Sequence, residues 1–319
     1  MYNPFPFDDP KPVNRPELSE KTISAVVSGG TPAVAKKFAA TVIENARKSN
    51  QILAFDGYTT VDWTLFLNLL ARECRIAGVE FVSIDQNREC FKSGEEIDKM
   101  IDPLLIWDTK IDPTLLYGKI YKGGYEGLLD EAKTVEFEEK VSALKGGKGK
   151  VVAVYGYGCL IPRFRKLYDV KCFFDITPKT SILRIRGGEY SNIGKERPDQ
   201  INRVIRRCYY CDFEVAVCNR RELLHNSAID FFFLADDPKS IVMMPFEAFS
   251  DICAQLVKYP FRAKPCYLEG VWGGSYMKRL RHLPDNMRNA AWVFDFIPME
   301  VSVLVKAGDE TLDINFCTF

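Results

Sequence analysis

The sequence predicts an α/β fold, a parallel sheet covered by helices and followed by a short β-rich segment. Two observations carry this. Between residues 50 and 245, short and almost wholly apolar runs ("QILAF", "VVAVYGYGCL", "YDVKCFFDITP") alternate with helical segments; strands that apolar are buried on both faces, as in parallel sheets. After residue 259 the chain turns to glycine- and proline-punctuated stretches and then to the alternation of antiparallel strands around an Ala-Gly-Asp-Glu turn.

The 319 residues leave room for two domains of ordinary size, about 100–200 residues each. Lys plus Arg equals Asp plus Glu at 43 each, so no global charge draws the chain to nucleic acid or to an anionic membrane, and neither partner is expected. No run approaches the roughly 18 apolar residues that a bilayer span needs. The start, "MYNPFPFDDPKPVNRPELSE", has acids and prolines where a signal peptide needs a basic and then an apolar region, so a cytoplasmic protein is expected. Ten scattered cysteines, several inside apolar runs, suit reduced and buried thiols.

Residues 1–49 form a proline-rich extension and a helix. The helix follows from apolar residues at 34, 38, 42, 43 and 46, a three-to-four spacing that lays one face on a core. Residues 50–258 form the main domain. It opens with the strands "QILAF" and "VEFVSI" on either side of the helix "DWTLFLNLLARECRIAG", a strand-helix-strand unit. Two further apolar strands follow, and "IVMMPFEAFSDICAQLVKYPF" reads as a strand end plus helix. Residues 259–319 are a link and a first pair of strands. So little β structure does not readily close a sandwich or barrel alone, so this segment is expected to begin a further domain. Its open edge would want a partner, which makes homo-oligomerisation or aggregation the expectation.

The stretch "DGYTTVDWT" raises the question of chemistry. A phosphate-binding loop runs G-x-x-x-x-G-K-[ST] between strand and helix, its backbone N–H groups and lysine holding phosphates and its hydroxyl holding magnesium. Gly57 and Thr64 stand at the first and last places of that frame. Asp62 replaces the second glycine and Trp63 the lysine, putting an anion and an indole where a cation should meet a polyphosphate. The competing reading is an ordinary strand-to-helix turn with Asp62 as cap.

Asp85 closes the next strand at its carboxyl end, where ligands of open α/β sheets lie. It would either take the proton of a substrate hydroxyl or cap a turn. Gly156, Tyr157 and Gly158 supply no magnesium-facing acid at the end of the strand after that. Residues 184–221 hold nine Lys/Arg against five Asp/Glu, so Arg184, Arg186, Arg203, Arg206 and Arg207 form either a phosphate-closing lid or a solvated basic face. Cys208, Cys211 and Cys218 lack the second pair or the histidines a metal site wants. Of the two histidines, His225 pairs on a helix with Glu222, and His282 lies in a link among arginines; no metal site is expected.

Residues 50–245 resemble the uridine kinase branch of P-loop kinases in their order of elements more than in motifs. What the resemblance implies is a phosphate site at Gly57 and Thr64 with Arg184 and Arg186 closing on it, and Asp85 as base. The missing lysine makes this a degenerate loop, so ATP turnover is not expected. The C-terminal stretch "YLEGVWGGSYMKRLRHLP…AAWVFDFIP" is similar to the opening of class I mannose-6-phosphate isomerases, cupin-fold zinc enzymes. Trp272, Gly273, Gly274, Leu280, Pro284 and Trp292 carry that match, and the start "YNPFPFDDPKPVNRPELSEKT" resembles larger bacterial proteins in which a kinase-like region precedes the isomerase.

This resemblance implies mannose-6-phosphate/fructose-6-phosphate interconversion for a longer protein, with Zn²⁺ held by residues beyond the matched segment. Three functions therefore stand open. The first is a non-catalytic kinase-like domain that at most binds a phosphorylated sugar or nucleotide, joined to the start of an isomerase. The second is an atypical Mg²⁺/ATP-dependent nucleoside or sugar kinase using Asp85, Thr64 and Arg184, Arg186 or a lysine of "KGGKGK". The third is a scaffold or oligomerisation module.

Overall fold

The computed structural model describes residues 13–108, 110–112, 117–258, 261, 264–265 and 301–316. The isomerase-like signature at 272–292, His282 and the first twelve residues lie outside these.

The chain opens with a two-residue strand β1 (Val13–Asn14) and helix α1 (Glu20–Ala25), whose Ser19 cap accepts the Thr22 N–H. Helix α2 (Thr31–Ala46) has proline in its first turn, where no amide partner is needed. It buries the stripe Val34, Phe38, Val42 and Ile43 that the spacing predicts. Strand β2 (Gln51–Gly57) is buried along its whole length, as a central parallel strand must be. Then come α3 (Thr64–Ile76), β3 (Glu80–Asp85), α4 (Gln86–Cys90) and α5 (Gly94–Ile101). Ser93 and Glu96 form a reciprocal capping box on α5.

Helix α6 (Glu131–Ala143) leads to β4 (Lys150–Tyr155), and β5 (Val170–Asp175) to α7 (Pro178–Arg186). Helix α8 (Ile201–Arg207) passes through a single π-helical turn, Cys208–Asp212, into α9 (Phe213–His225). Strands β6 (Phe231–Leu234) and β7 (Val242–Pro245) precede α10 (Phe246–Leu256). Beyond it are β8 (Lys264–Pro265), β9 (Val301–Ala307) and β10 (Glu310–Asn315).

The main sheet has six strands in the order β3-β4-β2-β5-β6-β7. The first five are parallel and β7 joins antiparallel. This is the mixed α/β architecture the apolar runs predict, with β7 turning a presumed strand end into an edge strand. Phe38 of α2 lies 5.5–5.9 Å from Phe55, Phe66, Phe231 and Phe233. Such ring pairs contribute about 0.5–1.5 kcal/mol each beyond their buried area.

A second, four-stranded sheet joins both ends of the described chain. β9 pairs antiparallel with β10 and β8 and parallel with β1. The hairpin that the sequence assigns to a separate domain shares the main core: Val303, Val305, Ala307, Leu312 and Ile314 are buried in the same cluster as the six-stranded sheet. A buried polar lock holds it. Arg220 on α9 donates to Asp175 Oδ2 at 2.8 Å and to the Asn315 carbonyl at 2.7 Å, while the Asn315 amide donates to the Ile176 carbonyl at 3.1 Å. The β1 and β8 pairings and the contacts to Asp175 and Arg220 give the hairpin partners that a lone hairpin lacks.

Candidate functional site

The connection leaving β2 crosses to β3 at one edge of the sheet, whereas the one leaving β5 crosses to β6 on the other side. The carboxyl ends of β2 and β5 therefore flank the reversal of winding, where ligands of such sheets bind. The loop 58–63 stands at that point.

This loop is packed shut. Tyr58, Thr59, Thr60, Val61 and Trp63 are all buried, and only Asp62 faces solvent. A Cβ at Gly57 would lie 3.0 Å from the Phe174 carbonyl, 3.0 Å from the Trp63 ring and 3.1 Å from the Val61 side chain. Glycine is needed here for the close approach of protein to protein. The Trp63 ring packs 5.3 Å from that of Tyr157 and 6.1 Å from that of Tyr155.

The backbone groups of the loop are consumed internally. Tyr58 N–H donates to the Phe174 carbonyl, Val61 N–H to the Tyr58 carbonyl, and Thr60 N–H to Tyr157 Oη at 3.0 Å. The Thr59 carbonyl accepts from Ser181 Oγ at 2.9 Å and the Thr60 carbonyl from Arg184 at 2.7 Å. Closure leaves local costs. Thr60 sits at φ 75°, a left-handed conformation that a β-branched residue adopts at about 1–3 kcal/mol. Thr60 Oγ1 and Trp63 Nε1 are buried without a hydrogen bond.

Beneath the loop lies a carboxylate that the sequence reading passed over. Asp56, wholly buried, accepts from the N–H groups of Gly57 at 2.7 Å, Gly158 at 2.9 Å and Leu160 at 2.8 Å, and from the Asn219 amide at 3.0 Å. Backbone amides that could surround a phosphate oxygen surround the chain's own anion. Burial pushes the Asp56 carboxyl up to about 6, with the four donors pulling the other way. Gly158, at φ 74°, admits the Tyr125 ring at 2.8 Å from where a Cβ would stand, and this fixes the Gly156–Leu160 turn over Asp56. The one available signal was a lone acid inside the apolar run "QILAFDG".

The expected site residues are dispersed among these contacts. Asp62 Oδ1 accepts the Thr64 N–H at 2.8 Å, and Thr64 is exposed at the start of α3. Asp85 caps α4, accepting from Asn87 N–H at 3.0 Å and Arg88 N–H at 3.3 Å. Its half-burial raises its carboxyl above the usual range. Arg184 bridges the Thr60 and Asp236 carbonyls, while Arg186 is exposed at the end of α7.

The three arginines of α8 are paired with acids, Arg206 and Arg207 buried and Arg203 partly exposed. Arg203 pairs with Asp102 at 2.6 Å, Arg207 with Asp98 at 2.7 Å, and Arg206 lies 3.6 Å from Asp112 with its guanidinium 4.6 Å from the Trp107 ring centre. Arg207 Nε also stands 3.6 Å from Asp212, whose other oxygen accepts from Tyr190 Oη at 2.9 Å and Asn192 at 2.7 Å. Glu222 is taken by Arg165 and by Asn226, where the sequence pairs it with His225. Cys208 and Cys211 are buried, and burial pushes both thiols up. Among the described residues no group of three or more His, Cys, Asp or Glu is placed to hold a metal, and no helix is long and apolar enough to cross a membrane.

A magnesium–triphosphate does not fit these residues. The N–H groups of Gly57, Tyr58, Thr60 and Val61 are each donated to protein atoms, and an indole fills the space over Gly57. A groove of about 430 Å³ lies elsewhere, along α3 and the outer strand β3.

A family model described as "Domain of unknown function (DUF8485)" matches residues 30–258. No curated protein matches the chain. Among solved structures the chain is similar to a candidate fructose transport system kinase from Silicibacter sp. TM1040, with 13% identity, a TM-score of 0.38, and coverage of 59% of this chain and 94% of that one. At that TM-score the likeness says nothing about activity.

Proposed function

The chain belongs to the family described as a domain of unknown function (DUF8485), and we propose that it is a kinase-like α/β domain that does not turn over nucleoside triphosphates and acts as a binding or scaffold module. The observation that carries this is the closed loop: Trp63 and Val61 pack over Gly57, and the neighbouring amides donate to protein atoms. A triphosphate would have to displace a buried indole and break several internal hydrogen bonds, with no lysine at residue 63 to compensate.

Titration calorimetry with ATP and Mg²⁺ tests the reading. It expects no binding tighter than about 100 μM and no phosphoryl transfer to nucleosides or sugars. The competing kinase, with Asp85 as base and Thr64, Arg184 and Arg186 around the phosphates, expects tight binding that Thr64→Ala abolishes and Trp63→Lys strengthens. Such a result would overturn the non-catalytic reading.

Isomerisation of mannose-6-phosphate and fructose-6-phosphate remains a proposal for a longer protein, because Trp272, Gly273, Gly274, Leu280, Pro284 and Trp292 all lie outside the described residues. A phosphorylated sugar as ligand, and Zn²⁺ as cofactor, belong to that proposal.

A further inference from the structure

The outer strand β3 pairs only with β4 among the described residues. Glu80 donates its N–H inward, to the Gly149 carbonyl. Successive residues of a strand direct their backbone groups to opposite sides, so Phe81 and Ser83 present N–H and C=O to the open edge. The strand holds no proline, and among the described residues no other strand pairs with this edge. Glu80, the charge at its start, is engaged by Lys150 at 2.8 Å.

A furnished groove runs beside this edge. Leu67, Ala71 and Arg75 stand four residues apart on one face of α3, and with Phe81 and Ser83 they line its volume of about 430 Å³. Ile76, at the end of the same helix, is 70% exposed.

We propose that β3 pairs with β3 of a second copy of this chain, antiparallel about a two-fold axis through Val82, to give one continuous twelve-stranded sheet. Three features select a second copy over an unrelated peptide. This register sets Phe81 of each copy opposite Ser83 of the other, so both outward backbone pairs are used and a large side chain meets a small one. It sets Val79 opposite Asp85, and Arg75 lines the groove together with Val79, so each Arg75 meets the second copy's Asp85 and the charges are complementary at both ends. The contact is isologous and closes after two copies.

Sedimentation of the full chain from about 1 to 100 μM tests this. A dimer is expected. Ser83→Pro removes only an outward N–H, which an edge strand tolerates, and should give a monomer with unchanged far-ultraviolet circular dichroism. Arg75→Glu, on the exposed face of α3, should weaken the dimer about tenfold or more even if the proline variant does not fold. A wild-type monomer at every concentration overturns the proposal. So does a folded Ser83→Pro protein, or an Arg75→Glu protein, that dimerises as well as the wild type.

Discussion

The carboxyl end of the six-stranded sheet and its β3 edge are finished in opposite ways. At the carboxyl end, where a ligand would sit, Trp63, Tyr157, the Asp56 carboxylate and Arg184 occupy the space and the hydrogen-bonding groups. At the edge, among the described residues, β3 pairs with β4 alone and a groove runs beside it. The difference teaches that within one βα unit, β2 through β3, the strand end is filled by the protein's own side chains and hydrogen bonds, while its side pairs with β4 alone among the described residues.

Four substitutions break or sharpen this contrast. The largest effect is expected from Trp63→Ala, which empties the space over Gly57. A side chain in an open ligand loop could be truncated almost silently, but loss of this packed ring should cost about 3–5 kcal/mol in urea unfolding. A loss under about 1 kcal/mol would mean that the loop is not packed shut.

Asp56→Asn comes next, at about 2–3 kcal/mol, because an amide presents donors to the N–H groups that Asp56 accepts. The same residue has a pH signature. Its folded pKa of about 6 lies above its ordinary 3.8, so its contribution to stability is fully present below about pH 4 and is lost as pH rises through about 6. The wild-type protein should therefore lose on the order of 2–3 kcal/mol across that window relative to Asp56→Asn. Parallel curves for the two proteins would show that Asp56 does not titrate there.

Thr60→Gly should be stabilising by about 1 kcal/mol in the same unfolding assay, since it relieves the left-handed backbone and removes an orphaned hydroxyl. The smallest effect on folding, within about 0.5 kcal/mol, is expected from Arg75→Glu at the open edge. Its consequence should show in assembly alone.

Much of this contrast could be read from the chain by itself. Of the five parallel strands, β2 to β5 show as short apolar runs and the stripe of α2 shows in its spacing, because burial leaves a local pattern, whereas β6 (Phe231–Leu234) was not read. The absence of a lysine from the loop 57–64, with Trp63 in its place in the phosphate-loop frame, was equally local. What stayed hidden depends on partners distant in sequence. The donors to Asp56 come from Gly158, Leu160 and Asn219, and the acids that neutralise Arg203 and Arg207 come from α5 and its end. No spacing announces such pairs. β1 is a strand only because β9 lies beside it, and the C-terminal hairpin joins the main core through Asn315, Arg220 and Asp175, which a segment-by-segment reading separates.

Hydrogen exchange at the amides of Gly57, Tyr58, Thr60 and Val61, with and without ATP and Mg²⁺, tests the closed loop most directly. Each of these amides is buried and donates within the protein, so slow exchange unaffected by nucleotide is expected. Fast exchange in the free protein that becomes slow on adding ATP and Mg²⁺ would show an open, nucleotide-binding loop and contradict the account.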